Sequence, residues 1–342
     1  MQIELANKMT SRRKFILQCS LALSALEFLF PYKSITKINK MVESKNFDVI
    51  IIGGSYAGLS SAMVLGRSLR TVLIIDNAKP CNIQTPHAHN FLTQDGKTPK
   101  EISTIAKQDV EKYKTVKFYQ GFAMNAVKKE NGFEVVTDTD EKFFAKKLIF
   151  ATGIKDILPD IKGFAECWGI SIIHCPYCHG YEHLNQNTGI IGNGHKAFHL
   201  ASMVSNLTKK VKILTNGKAD FDADQLEKLN KHNIKIIETK ISKIEHKNGY
   251  IQNLILEDGN QISFEVAYGV IPFSQQSNIP VSLGCELTDQ GYIKVVAFQK
   301  TTVPNIFVCG DNSNMMRSIA NAVSSGNIAG AVANGELINE QF

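Results

Sequence analysis

Two glycine-rich turns, each entered from an apolar run and followed by helix-like sequence, constrain this chain more than any other feature. The first follows FDVIII (Phe47 to Ile52) and reads GGSYAG; the second follows TGII (Thr188 to Ile191) and reads GNGHKA. Continuous apolar runs of this length are the signal of strands buried on both faces, as in a parallel α/β sheet. Both turns therefore read as dinucleotide sites. Between them stands His174-Cys175-Pro176-Tyr177-Cys178-His179-Gly180. Two thiols separated by two residues can close a small disulfide, and a neighbouring redox cofactor can open and re-form it two electrons at a time.

The first turn carries a complete fingerprint. Gly53 takes the tight turn and Gly58 the helix–strand contact, with Gly54, Ser55, Tyr56 and Ala57 between them. The next strand, TVLII, ends at Asp76-Asn77. This order places a pyrophosphate on the helix amino terminus and the acid on a ribose hydroxyl. Ser55 stands where the second glycine is usual, so a slight shift of the turn is expected. Leu59, Met63, Leu65 and Leu69 are the helix's candidate core positions. The second turn, with Gly192, Asn193, Gly194 and Ala197, satisfies GxGxxA and is followed by a strand over 211–214. After that strand the chain offers Leu214-Thr215-Asn216-Gly217-Lys218. Clustered arginines for a 2′-phosphate and an acid for a ribose are both missing there, and His195 would crowd a diphosphate. NAD(P)H use is left open.

At 342 residues the chain has room for two domains. The pI near 8.8 would suit an acidic partner, but residues 1–40 hold seven Lys/Arg against Glu4 and Glu27, a net of +5 out of the total +6. The remainder is nearly neutral and shows no basic stripe for nucleic acid. Ser11-Arg12-Arg13-Lys14-Phe15-Ile16-Leu17 resembles a twin-arginine export signal. The apolar run from Phe15 to Phe30 is short and interrupted by Glu27, which argues against a stable membrane span. Export to the periplasm or cell envelope is one expectation; translation from Met41, giving a cytoplasmic protein, is the other. The seven cysteines include one closely spaced pair, which fits a redox pair rather than a stapling framework. Cys81, Cys167, Cys285 and Cys309 are expected to be small apolar residues.

Short strands VKFY, FEVV and KKLIF, with an Asn131-Gly132 turn, lead to Ala151-Thr152-Gly153. Near the carboxyl end Thr302-Val303-Pro304-Asn305-Ile306-Phe307-Val308-Cys309-Gly310-Asp311 precedes a small-residue helix from about Met316. On these four motifs the chain, from 47 to 335, resembles the two-dinucleotide-binding flavoproteins, and the CxxC resembles their thioredoxin reductase branch. The resemblance implies an α/β fold of two Rossmann-like, three-layer ββα domains, the second inserted in the first. It also implies an FAD domain over 41–157 and 280–342, an NAD(P)-type domain over 158–279, and commonly a homodimer. By resemblance Gly310 and Asp311 meet the ribityl or phosphate region of FAD, and Arg317, Ser318 and Ile319 are the nearest candidates to face the flavin ring. Cys178 would meet the flavin, and Cys175 would exchange with a small dithiol or disulfide, or a thioredoxin-like protein.

His179 can lower the pKa of a neighbouring thiol or shuttle its proton. A drop from about 8.5 to about 7 requires roughly 2 kcal/mol of bias. The ordinary reductases carry an acid there, whereas CxxC-H-G-Y-E is similar to dithiol oxidases of the gliotoxin-oxidase type. Dithiol oxidation is therefore placed ahead of NAD(P)H-driven disulfide reduction, with a non-catalytic flavin-binding redox sensor as a further alternative. CPYC also occurs in glutaredoxins, CxxCH attaches c-type haem, and His174, Cys175, Cys178, His179 and His183 could cage zinc. Those readings conflict with the mid-chain setting, the FAD site and the usual separation of zinc ligand pairs, so no metal is expected. The loop Thr85-Pro86-His87-Ala88-His89-Asn90-Phe91 either closes over the flavin or substrate or holds solvated histidines. Trp168 and Tyr181 either line a substrate entrance or pack in the core.

Overall fold

The computed structural model describes residues 45–342; the export signal, the alternative start at Met41 and Cys19 lie outside them. The chain begins with β1 (Asn46–Ile52), α1 (Tyr56–Arg67), β2 (Val72–Asp76), α2 (Pro99–Glu111) and β3 (Val116–Gln120). A meander follows of β4 (Ala123–Lys129), β5 (Gly132–Thr137) and β6 (Lys142–Phe150). After β7 (Ile154–Asp156), α3 (Phe164–Cys167), β8 (Ile172–Ile173) and α4 (Pro176–His179) lead into β9 (Thr188–Ile191) and α5 (Gly194–Val204). Then come β10 (Val211–Leu214), α6 (Ala223–Lys231), β11 (Lys235–Ile237), β12 (Ile241–Lys247), β13 (Tyr250–Leu256), β14 (Gln261–Ile262) and β15 (Val266–Gly269). The chain returns through β16 (Phe273–Gln275), α7 (Ile279–Ser282) and β17 (Ile306–Val308) to the long α8 (Ile319–Gln341).

The α/β class expected from the apolar runs is the class observed. One sheet runs β3-β2-β1-β6-β5-β4, with β17 joining β6 in parallel. The second, β11-β10-β9-β15-β8, is parallel throughout. Strand β1 feeds both cores: Ile50 and Ile52 pack on one face with Phe133 and Phe143, Val49 and Ile51 on the other with Leu59 and Ala329. A strand covered on both faces has no polar side to show, which is why Val49 to Ile52 reads as an unbroken apolar run. The second sheet packs one face on α5 and the other on the antiparallel β12-β13-β14 sheet. Chain crosses between the two assemblies at β7 and β16, which pair antiparallel.

Small residues bring α8 against α1. A Cβ on Gly326 would meet the carbonyl oxygen of Ala57, and Ser61 Oγ donates to the Gly326 carbonyl at 2.7 Å. The helix starts at Ile319 rather than near Met316, because Ser318 is its N-cap and accepts from Asn321 N. Two other expectations are corrected. Leu69 lies beyond the end of α1 in the left-handed region (φ 57°) and is 80% exposed, so the apolar periodicity overran the helix. The β4–β5 hairpin turns at Glu130-Asn131, with Gly132 already paired in β5. Among the described residues no helix is long and apolar enough to cross a membrane.

Candidate functional site

A cavity of about 670 Å³ opens between the first glycine turn and the CxxC. Gly53, Gly54, Ser55, Tyr56 and Ala57 form one part of its wall, continued by Asp76 and Asn77. Gly53 has φ +106°, and a Cβ there would collide with the Ala151 carbonyl oxygen; glycine is required by both angle and space. Gly58 does not line the cavity. Its missing Cβ leaves room for the carbonyl of Gly53, so it sets the turn from below. Ser55 sits at the N-cap of α1 in extended conformation, where a Cβ is tolerated. Asp76 accepts from Gly54 N at 2.9 Å and from Ala78 N at 3.1 Å, tying the acid to the turn.

Ala151, Thr152 and Gly153 at the end of β6 line the same cavity, as do Gly310 and Asp311 after β17 and Arg317, Ser318 and Ile319 at the start of α8. Parallel pairing of β6 with β1 and β17 brings these carboxyl-terminal strand ends together. Burial raises the Asp311 carboxyl above its ordinary range, opposed by Arg317. Buried Arg317 Nε has no hydrogen-bond partner, its nearest carboxylate being Asp311 at 3.6 Å.

Cys175 and Cys178 form a disulfide. Cys175 is the N-cap of α4, Pro176 occupies the first helical position, and Cys175 Sγ accepts from Cys178 N at 3.1 Å. Cys178 and His179 line the cavity; Cys175 does not. Burial, with His89 adding to it, pushes the His179 imidazole down to about 4, and burial with Arg317 pushes His174 to about 3. Both rings are neutral at neutral pH.

Sequence reasoning missed the group that joins these parts. Asp156, on β7, accepts from Arg317 Nη1 at 2.8 Å and Nη2 at 3.1 Å, and from Trp168 Nε1 at 3.2 Å. Trp168 is buried, stacked on Phe164 and tilted against His174 with ring centroids 6.1 Å apart. Tyr181 is exposed. Cys81, expected to be a small apolar residue rather than a reactive one, lines the cavity, and desolvation and then Asp311 push its thiol up to about 11. Among the described residues no group of three or more His, Cys, Asp or Glu is placed to hold a metal ion.

The second turn is differently furnished. Gly192 borders a cavity of about 310 Å³ lined mostly by apolar chain, with no Lys or Arg. Ala197 is buried in the core beneath. Asn193 Oδ1 accepts from Gly194 N and from Asp220 N, each at 2.9 Å, and its amide donates to Lys218 O at 2.8 Å. The amide that would greet a diphosphate is thus capped by the chain's own side chain, and the Asp220 carboxylate stands 3.6 Å from where a Gly194 Cβ would lie. Asn216 and Thr215 are committed to Ile241 N and the Gly217 carbonyl. One amide at the start of α5 is thereby taken within the chain, while no side-chain cap is seen on the amides that follow it.

Residues 47–326 match the family model described as pyridine nucleotide-disulphide oxidoreductase. Thioredoxin reductase tcpT of Claviceps purpurea is 30% identical over 311 residues, 87% of this chain and 96% of the relative. Thioredoxin reductase aclD of Aspergillus oryzae is 30% identical over 295 residues, 83% and 94% of the two chains. Among solved structures, an oxidoreductase from Agrobacterium tumefaciens superposes with a TM-score of 0.80 at 36% identity, covering 86% of this chain and 99% of the other.

Proposed function

Because the chain belongs to the pyridine nucleotide-disulphide oxidoreductase family, we propose that it oxidises a small dithiol through the Cys175–Cys178 disulfide and passes the electrons to FAD. Thioredoxin reductase-like members of this family bind FAD and use NAD(P)H. The first cavity suits it: a glycine turn packed so closely on Ala151 and Asp76 that Gly53 and Gly54 have no room for a Cβ, an acid one strand away, and an unpartnered buried guanidinium nitrogen. Bound there, FAD supplies a two-electron acceptor beside the disulfide. Gly53 to Ala57 would hold its pyrophosphate, Asp76 its ribose, and Arg317 to Ile319 would face its ring.

The protein's own chemistry begins with thiol exchange. A substrate thiolate attacks Cys175 Sγ, and the second substrate thiol displaces Cys175 as the substrate disulfide closes. A free thiol of pKa about 8.5 is only a few per cent ionised at neutral pH. Neutral His179, beside Cys178, is the base that takes the proton. The carrying observation is that Cys178 and His179 line the same cavity as the first glycine turn while Gly194 N is already capped.

Anaerobic mixing with dithiothreitol, NADPH or NADH, followed by oxygen, tests the reading. Flavin bleaching by the dithiol with oxygen uptake on re-aeration is expected. Bleaching by a pyridine nucleotide would favour a thioredoxin reductase, the activity in the names of tcpT and aclD. A single slow turnover with every donor would indicate a sensor. Cys175→Ser should abolish exchange and spare flavin binding; unchanged turnover would remove that residue from the mechanism.

A further inference from the structure

We propose that His89 and Glu182 form a proton relay with His179, holding the proton of the attacking substrate thiol until a cysteine sulfur is free to take it; this rests on the dithiol-exchange reading above. His89 lies on the loop between β2 and α2, far from the CxxC in sequence. It nevertheless lines the cavity with Cys178 and His179, its side chain 20% exposed. The two imidazoles meet edge to face, centroids 6.4 Å apart and planes at 89°. His89 Nδ1 is 3.5 Å from Glu182 Oε1 and 3.6 Å from Asp95 Oδ2. The carboxylates arrive from different segments, Asp95 from the same loop and Glu182 from the 3-10 turn Tyr181–His183 that follows the CxxC.

The loop is built to keep that ring in place. Ala88 N donates to Lys97 O at 2.8 Å, Gly96 N to Ala88 O at 2.9 Å, and Asn90 N to Asp95 Oδ1 at 2.8 Å. Ala88 is buried in a cluster with Tyr56 and Ile102. Asn90 and Thr93 adopt φ of 59° and 72°, a left-handed conformation that persists where the surroundings over-determine it.

The exchange needs such a group. A substrate dithiol and the Cys175–Cys178 disulfide become a substrate disulfide and two cysteine thiols. One S–S bond breaks in the protein and one forms in the substrate, two electrons pass to the protein sulfurs, and two protons travel from substrate to cysteines. The first proton leaves before either cysteine can accept it. His179, held at about 4, cannot store it at neutral pH. His89, in edge-to-face contact with that ring, presents Nδ1 to carboxylate oxygens of both Glu182 and Asp95. The groups acting on the two rings are Asp95, Glu182, His183 and His174.

The test uses flavin-loaded protein pulsed with dithiothreitol, quenched with an alkylating agent, and scored by mass for Cys175 and Cys178 thiols across about pH 5.5 to 9. His89→Gln and Glu182→Gln should each slow disulfide opening near pH 7 on the order of 100-fold and flatten its pH profile. The double variant should be little slower than either single one, and imidazole should rescue His89→Ala. Variants that open within twofold of the parent with the same pH profile would overturn the relay alone. A parent disulfide that the dithiol never opens would overturn the oxidase reading together with it.

Discussion

Asp156→Asn isolates the contact on which the two halves of the site converge. The carboxylate receives two guanidinium N–H groups and one indole N–H, and Asp156 and Arg317 side chains are 12% and 16% exposed. Asparagine keeps the shape and one oxygen, but turns an amide donor toward a guanidinium donor or toward the indole. Removing one partner of a buried ion pair costs about 3–5 kcal/mol. Asp311, 3.6 Å from Arg317 Nε, leaves the guanidinium one carboxylate, and the pair is not fully dry. A loss of about 2–3 kcal/mol follows, or about 4–6 °C in Tm at roughly 2 °C per kcal/mol for a chain of this size. Trp168 is the single tryptophan, so its emission reports directly on the Asp156 contact and should change in intensity in the variant. Calorimetry and emission spectra on preparations matched in flavin content measure both. A Tm within about 1 °C of the parent and an unchanged spectrum would refute the view of Asp156 as the joint between Arg317 and Trp168.

Gly53→Ala should yield colourless protein, checked by the absorbance ratio of flavin to polypeptide, because the new Cβ meets the Ala151 carbonyl oxygen. His174 and His179 are held at about 3 and about 4, below the ordinary imidazole value, first by burial. The unfolded chain therefore binds protons first as pH falls below about 6.5. The stability these two rings contribute is present above that value and is lost toward pH 3–4, at up to about 1.4 kcal/mol per pH unit per group. Urea midpoints against pH should show that slope, and His174→Gln should reduce it. Lys147, fully buried against Asn305, Glu336 and Glu340, should cost about 3–5 kcal/mol as Lys147→Ala in chemical denaturation, and far less as Lys147→Met.

The parts of this molecule that are legible in its sequence are those where one residue answers a local geometric demand. Gly53 and Gly310, at φ +106° and +82°, punctuate strand ends that glycine alone occupies comfortably, and the apolar strands between them have no polar face to disguise them. The joint at Asp156 has no such local cause. Arg317 stands 161 residues from Asp156 and Trp168 only 12, and no period or spacing links the three; the antiparallel pairing of β7 with β16 and the start of α8 bring them together. His89 and Glu182 likewise meet only because the loop after β2 folds back on the turn after the CxxC.

The second glycine turn shows why a spacing pattern alone cannot decide the direction of electron flow. Its glycines satisfy the fingerprint, yet Asn193, at a position where the pattern accepts any residue, is a strong N-cap former and spends its oxygen on the helix it precedes. The first turn puts Ser55 at the equivalent helix start with no side-chain cap, leaving its amides free for an anion. The two helix starts thus differ in one amide: that of Gly194 is taken by Asn193, and the start of α1 has no side-chain cap. Asn193→Gly together with Asp220→Gly should open that second terminus. A measurable increase in flavin reduction by NADPH is then expected, and stopped-flow bleaching at the parent's rate would show that Asn193 and Asp220 are not what keeps the nucleotide out.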